Sequence, residues 1–159
     1  LHVRILATGG NLSADLMMQA PDDGTFVVVT SPAAYPSEHY YTQGVKVITI
    51  RSTAVVREFP KVKSINYVGA IVVSKKAKEA GAVEAIYVNS NDELTEGART
   101  SFVGIKGNTL YSCFSDDVLD GITRNVTLEI VVAALVQQQE QQHGKTESLK
   151  IEKTAIALA

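Results

Sequence analysis

Strand-like and helix-like segments alternate along this chain, and several of the strand-like ones are joined by turns too short to hold a crossover helix. Parallel neighbours in a sheet need a connection of a dozen residues or more, whereas antiparallel neighbours accept a two-residue turn. The pattern excludes a purely parallel doubly wound sheet. It points to an α+β or mixed α/β fold with an antiparallel component. At 159 residues the chain has the length of one ordinary domain or of a part of something larger.

Val3 to Ala7 and Thr25 to Thr30 read as strands, the second entered through the turn Asp22-Asp23-Gly24. Ser31 to Tyr41 carries Pro32 and Pro36 and reads as a linker or extended crossing. Val45 to Ile50 is a third strand, with Thr53 to Arg57 as its candidate continuation. Ser64 is expected to cap a helix running to about Ala80, with Gly81 in the stop position. Its apolar stripe is Ile65, Val68, Ile71 and Val72, and Lys75, Lys76 and Lys78 lie towards its exposed end. Glu84 to Val88 is a strand bounded by Asn89-Ser90-Asn91-Asp92. Ser101 to Ile105 and Thr109 to Cys113 form a hairpin about Lys106-Gly107-Asn108. A second helix spans about Arg124 to His143 and stops at Gly144, with Leu128, Ile130, Val131, Ala134 and Leu135 as apolar positions. The tail from Thr146 to Ala159 has no assignable pattern.

Composition removes several classes of function. Fifteen basic side chains against 17 acidic ones give a net charge of −2, which excludes a strongly basic nucleic-acid surface. An apolar share of 45% with 20% charged residues is globular. The single cysteine, Cys113, excludes a disulfide framework and a Cys-rich zinc site, and reads as a small buried hydrophobe. His2, His39 and His143 match no metal-ligand spacing, so no metal is expected. No apolar run approaches the roughly 18 residues of a membrane span. Leu1-His2-Val3-Arg4 is not a secretory leader, so a cytoplasmic location is expected. The missing initiator Met suggests that the chain begins inside a longer product.

Three features could carry chemistry. Lys63 stands just before the first long helix, and a lysine amine attacks carbonyls when burial or a neighbouring cation such as Lys61 destabilises its ammonium form. Alone, it reads as a surface lysine. Glu96, in Thr95-Glu96-Gly97, could pair with a protonated ring nitrogen, though most glutamates are simply solvated. Asp120-Gly121-Ile122-Thr123-Arg124 opens the second long helix. Free amides at a helix start, a glycine and the Thr123 hydroxyl make a phosphate cradle, or an ordinary N-cap. Amine, carboxylate and cradle together are what a pyridoxal phosphate site requires.

The segments Lys63-Ser-Ile-Asn-Tyr67, Glu79 to Ile86, Thr95-Glu96-Gly97, Ile105 to Tyr111 and Leu119-Asp-Gly-Ile-Thr-Arg124 occur in that order. From about Val45 to Leu135 the chain resembles the class IV, or fold type IV, pyridoxal-phosphate enzymes. These include branched-chain and D-amino-acid aminotransferases and aminodeoxychorismate lyases. The resemblance implies a D-amino-acid-aminotransferase-like fold. Residues 1–30 would be the remnant of a small N-terminal domain, 31–44 an interdomain segment and 45–159 the large cofactor domain. Lys63 would bind the cofactor's aldehyde as a Schiff base and shuttle the proton between substrate Cα and cofactor C4′. Tyr67 would hydrogen-bond the phenolic oxygen and Glu96 the pyridine nitrogen. Gly121, Ile122 and Thr123 would hold the phosphate, and Arg4 would line the substrate pocket.

The sequence departs from the family pattern at Ser101, where asparagine is habitual, and at Gly9, where D-amino-acid enzymes carry an arginine. Both ends look short, so residues 1–159 alone are expected to have little activity. Arg99 and Arg124 could orient Glu96, but surface ion pairing is the simpler account. The implied function is transamination of a branched-chain or other small hydrophobic amino acid with 2-oxoglutarate, in a homodimer or larger homo-oligomer. Two alternatives stand beside it. One is lyase chemistry on aminodeoxychorismate, releasing pyruvate. The other is a non-catalytic homologue or packing module. No nucleic acid or membrane partner is expected.

Overall fold

The computed structural model describes residues 1–10, 24–55, 59–107, 109–141, 150–152 and 156–157. Two compact units divide at residue 44, Leu1–Gly44 and Val45–Ala159.

In the first unit β1 (His2–Thr8) pairs antiparallel with β2 (Thr25–Ser31), in unbroken register from His2↔Ser31 to Thr8↔Thr25. Both strands lie within a residue of the β-branched runs that announced them. Asp22 and Asp23, two of the three residues of the expected turn, lie outside the described residues. Ser31 to Tyr41 is not extended throughout. A one-turn helix, α1 (Glu38–Thr42), begins after Ser37, with Tyr40 N donating to Ser37 O at 2.9 Å. Pro32 and Pro36 stop short of it, and an acidic residue in the first turn suits the positive end of the helix dipole.

The second unit is built on a strand buried at every position. β3 (Val47–Arg51) runs parallel to β4 (Glu84–Val88), from Val47↔Glu84 to Arg51↔Val88. Their crossover contains α2 (Val68–Glu79). β5 (Glu93–Gly97) returns antiparallel on the other edge of β4, and β6 (Val103–Lys106) and β7 (Thr109–Ser112) form a separate hairpin. The long helix α3 (Ile122–Gln141) follows. The tail, unassigned from sequence, supplies β8 (Lys150–Glu152), parallel to β7, and β9 (Ile156–Ala157), antiparallel to β5. The mixed α/β reading is thus the observed architecture. Among the described residues, no helix is long and apolar enough to cross a membrane.

All five residues of β4 are buried because strands flank both edges and α2 covers a face. Val73 and Ala77 of α2 pack on Ala85 and Tyr87 of β4, with Ile48, Ile50, Val55, Ala82 and Ala98 around them. The expected stripe on α2 is therefore wrong. Ile65, Val68 and Ile71 are 57%, 70% and 65% exposed, while Val73 is fully buried. Ala77, four residues after Val73 on the same face, is small and lets the helix approach the sheet. Hydropathy alone did not choose the buried face, since Val68 and Val72 are exposed and Val73 is not.

Four further boundaries differ from the sequence reading. Ser52–Ala54 is a 3-10 turn where a strand continuation was expected, and residues 56–58 lie outside the described residues. The helix begins at Val68, not Ser64, because side chains bend the backbone first. Ser64 Oγ accepts from Asn66 N at 3.3 Å, and Asn66 Oδ1 from Val68 N at 3.4 Å. α3 begins at Ile122, two residues earlier than expected; it is described to Gln141, and Gly144 lies outside the described residues. In α3 Leu128 is buried, but Ile130 is 63% exposed. Each hairpin strand is one residue shorter than expected, the first starting two residues later and ending one later, and the Lys106↔Thr109 pair closes the turn, with Gly107 at φ 56°.

The predicted stop at Gly81 is met by a Schellman arrangement. Gly81 takes φ 68°, Gly81 N donates to Lys78 O at 3.0 Å, and Ala82 N donates to Ala77 O at 2.8 Å. Lys46 Nζ donates to Ala80 O at 2.7 Å, placing a cation at the negative end of α2.

Val73→Ala in the full-length protein is expected to lower unfolding free energy by about 2 kcal/mol, from lost burial plus a residual cavity. Urea denaturation checks it. At Gly97 an added Cβ would lie 2.2 Å from Thr100 Oγ and 3.0 Å from Glu84 Cγ. Gly97→Ala should therefore cost roughly 1–3 kcal/mol through overpacking, read from the shift in the same denaturation midpoint.

Candidate active site

A cavity of about 510 Å³ opens in the second unit, within the size range of small-molecule sites. Its wall includes Lys63, Tyr67 and Glu96, three of the residues singled out from sequence.

Lys63 and Tyr67 reach the wall through a run of tight turns leading into α2. Phe59 takes φ 53°, unusual for a bulky side chain. Val62 N then donates to Phe59 O at 2.9 Å and Ser64 N to Val62 O at 2.8 Å. The two side-chain turns at Ser64 and Asn66 follow, and Tyr67 stands as the N-cap of α2, its carbonyl accepting from Ile71 N at 2.8 Å. Lys61, the candidate neighbouring cation, forms an ion pair with Asp116 at the exposed surface.

Glu96 is fixed from the opposite side. Ile86 pairs with Gly97 and Val88 with Leu94, so two residues of β5, Thr95 and Glu96, oppose the single Tyr87 of β4. This bulge re-aims the strand end. Thr95 Oγ donates to Tyr87 O at 3.1 Å, and Glu96, 6% exposed, accepts from Leu119 N at 3.1 Å on Oε1. After Glu96 the chain reverses tightly. Gly97 N donates to Thr100 O at 2.7 Å, and a bridge joins Glu96 to Ser101. Buried Glu84 supports this turn, accepting from Thr100 Oγ at 3.1 Å and from Ala85 N at 3.0 Å.

Gly121, Ile122 and Thr123 are not on the cavity wall, although their neighbours Ser101 and Leu119 are. The α3 ladder begins with Asn125 N donating to Gly121 O at 3.0 Å, so the amides of Ile122, Thr123 and Arg124 precede it. A Cβ on Gly121 would lie 3.2 Å from Ser101 Oγ, which sets the helix tip beside the wall. Ser101, in place of asparagine, thus stands between Glu96 and Gly121.

Arg124 is not a surface residue. It is 5% exposed and bonds Cys113 O and Asp120, which corrects the expected surface pairing. Arg99 is exposed and on the cavity wall. Arg4 lies in the first unit on β1, exposed and opposite Val29. Cys113 is buried as expected, its Sγ 3.3 Å from Ser115 Oγ. Sequence reasoning missed the Leu119 amide and the β5 bulge. No side chain signals either one.

Residues 1–148 match the family model of amino-transferase class IV. D-alanine aminotransferase of Listeria monocytogenes serotype 4b is 31% identical over 114 residues, which are 69% of this chain and 38% of that protein. A branched-chain amino acid aminotransferase from Thermobaculum terrenum, solved in its PLP-form, superposes with a TM-score of 0.70 at 16% identity. The match covers 98% of this chain and 47% of that one. A candidate 4-amino-4-deoxychorismate lyase of Legionella pneumophila gives 0.67 at 22% identity, over 98% of this chain and 52% of that one. This chain therefore spans about half, or less, of the length of these relatives, and the fold it shares with them is that of fold type IV. On its sequence match, the chain belongs to the class IV aminotransferases.

Proposed function

We propose that the protein is a pyridoxal-phosphate-dependent aminotransferase. Its donor would be a branched-chain or other small hydrophobic amino acid, and its acceptor 2-oxoglutarate. The observation that carries this reading is the single cavity whose wall holds Lys63, Tyr67 and Glu96.

The donor set fits the cofactor. An amine suits its aldehyde, a phenol its ring oxygen, and a carboxylate its ring nitrogen. The helix tip beside Ser101 offers amides ahead of the α3 ladder for a phosphate, and Gly121 has no Cβ to block approach. When bound, pyridoxal phosphate supplies an electron sink for charge developing at the substrate's Cα.

The chain's own residues would do the rest. Lys63 holds and moves the proton at the substrate's Cα. Tyr67 hydrogen-bonds the ring oxygen. Glu96, buried and steadied by the Leu119 amide, favours a protonated ring nitrogen. Gly121, Ile122 and Thr123 hold the phosphate. Arg4 is assigned to the substrate by the resemblance alone.

Apolar wall residues, Val55, Val62, Val68, Val72 and Leu119 among them, favour a small hydrophobic side chain. Gly9, where D-amino-acid enzymes carry an arginine, argues against D-specificity despite the identity with D-alanine aminotransferase. The same resemblance implies a homodimer or larger homo-oligomer as the working unit.

The full-length protein should bind pyridoxal phosphate with a visible absorption band and transfer amino groups from L-leucine or L-valine to 2-oxoglutarate. Lys63→Ala should abolish the band and lower the rate by roughly 100- to 10,000-fold. Pyruvate release from aminodeoxychorismate without transamination would replace this reading with the lyase. Transfer from D-alanine alone would overturn the substrate assignment, and a folded protein that binds no cofactor would overturn the enzyme.

A further inference from the structure

We propose that Arg124 is a positioning residue, a buried clasp that sets the helix tip and the Glu96 carboxylate in register around the cofactor. The proposal rests on the functional reading above.

Arg124 is 5% exposed, and its guanidinium reaches in three directions. Nη1 donates to Cys113 O at 2.8 Å, where β7 has just ended. Nη2 meets Asp120 Oδ1 at 3.2 Å, and Nε donates to Asn125 Oδ1 at 3.3 Å. Its central carbon sits 4.3 Å from the centroid of the Phe114 ring. Asn125 closes the set, its Nδ2 donating to Asp120 Oδ1 at 2.7 Å and its backbone N to Gly121 O at 3.0 Å.

One side chain thereby fastens both ends of the loop from Cys113 to Asp120. That loop carries Leu119, whose amide holds Glu96 at 3.1 Å. It also delivers the chain to Gly121, where α3 starts. The middle of the loop is held by its own turn, Asp117 N donating to Ser115 Oγ at 3.1 Å, and by Asn89 Nδ2 donating to Asp117 Oδ2 at 3.0 Å; Arg124 adds the grip on its two ends. A planar fork with fixed donor directions can grip a carbonyl, a carboxylate and an amide oxygen at once, which a lysine ammonium on a flexible stem cannot. The exposed side of Asp120 and the buried side of Arg124 make this an anchor rather than a surface pair.

Two substitutions that leave net charge unchanged separate positioning from simple charge attraction. In the full-length protein, Arg124→Lys keeps the cation and loses the fork, and Asn125→Ala removes one arm. The affinities of pyridoxal phosphate and of pyridoxal, which lacks the phosphate, are titrated for each, with hydrogen exchange at the Leu119 amide followed alongside. Arg124→Lys should weaken pyridoxal phosphate tenfold or more and pyridoxal, which meets only the Glu96 arm, by a clearly smaller factor, with faster exchange at Leu119. Asn125→Ala should move both readouts the same way by a smaller factor, and it decides the matter if Arg124→Lys does not fold.

Equal weakening of both ligands, or unchanged affinity and exchange in a folded variant, would overturn the clasp alone. A folded wild-type protein that binds neither ligand would instead overturn the functional reading, and the clasp with it.

Discussion

The second unit depends on one strand being buried along its whole length. β4 cannot be covered by its own side chains. It needs β3 on one edge, β5 on the other and α2 across a face. Satisfying that need sends the chain out through the Phe59–Tyr67 turns and back through α2, and then reverses it into β5. Lys63 lies on the outward path and Glu96 on the return. Two residues far apart in sequence come to one cavity because the same strand must be enclosed from both sides.

The site itself is made of departures from regular structure. On the cavity wall, Lys63 and Tyr67 sit in turns held by Ser64 Oγ and Asn66 Oδ1 and Glu96 at a bulge, and the helix start at Gly121 lies beside that wall. Each departure is tied down by a hydrogen bond or by a side chain buried behind it, as Glu84 is behind the Gly97 turn, where it accepts from Thr100 Oγ. Chemistry-bearing groups on loops over a rigid sheet keep their aim only if the loops are gripped. The grip comes from Asn66, Glu84, Leu119 and Arg124.

Much of this was legible beforehand. β4 was read with its observed bounds, and the β1–β2 strands within a residue, because β-branched runs between turn residues have few alternatives. Gly81 marked the end of α2 because a left-handed residue is needed there and glycine adopts it without strain. What failed was the buried face of α2 and its starting point. Ile71 and Val72 are as apolar as any residue of α2, yet Val73 and Ala77 are the ones that pack on β4, because the helix turns that face to the sheet. Ser64 looked like a cap, but its hydroxyl closes a local turn instead.

The sequence by itself determined the mixed architecture, the main strands from β1 to β4, the β6–β7 hairpin and the two long helices, and it nominated an amine, a carboxylate and a glycine-bearing helix start as candidates, since each follows from local propensity or from an ordered set of residue types. Only the tertiary structure decided that Lys63, Tyr67 and Glu96 share one wall, that a backbone amide at Leu119 holds the carboxylate and that Arg124 is buried. A backbone N–H is the same at every residue except proline, and burial is a property of neighbours. Neither is visible until the chain has closed on itself.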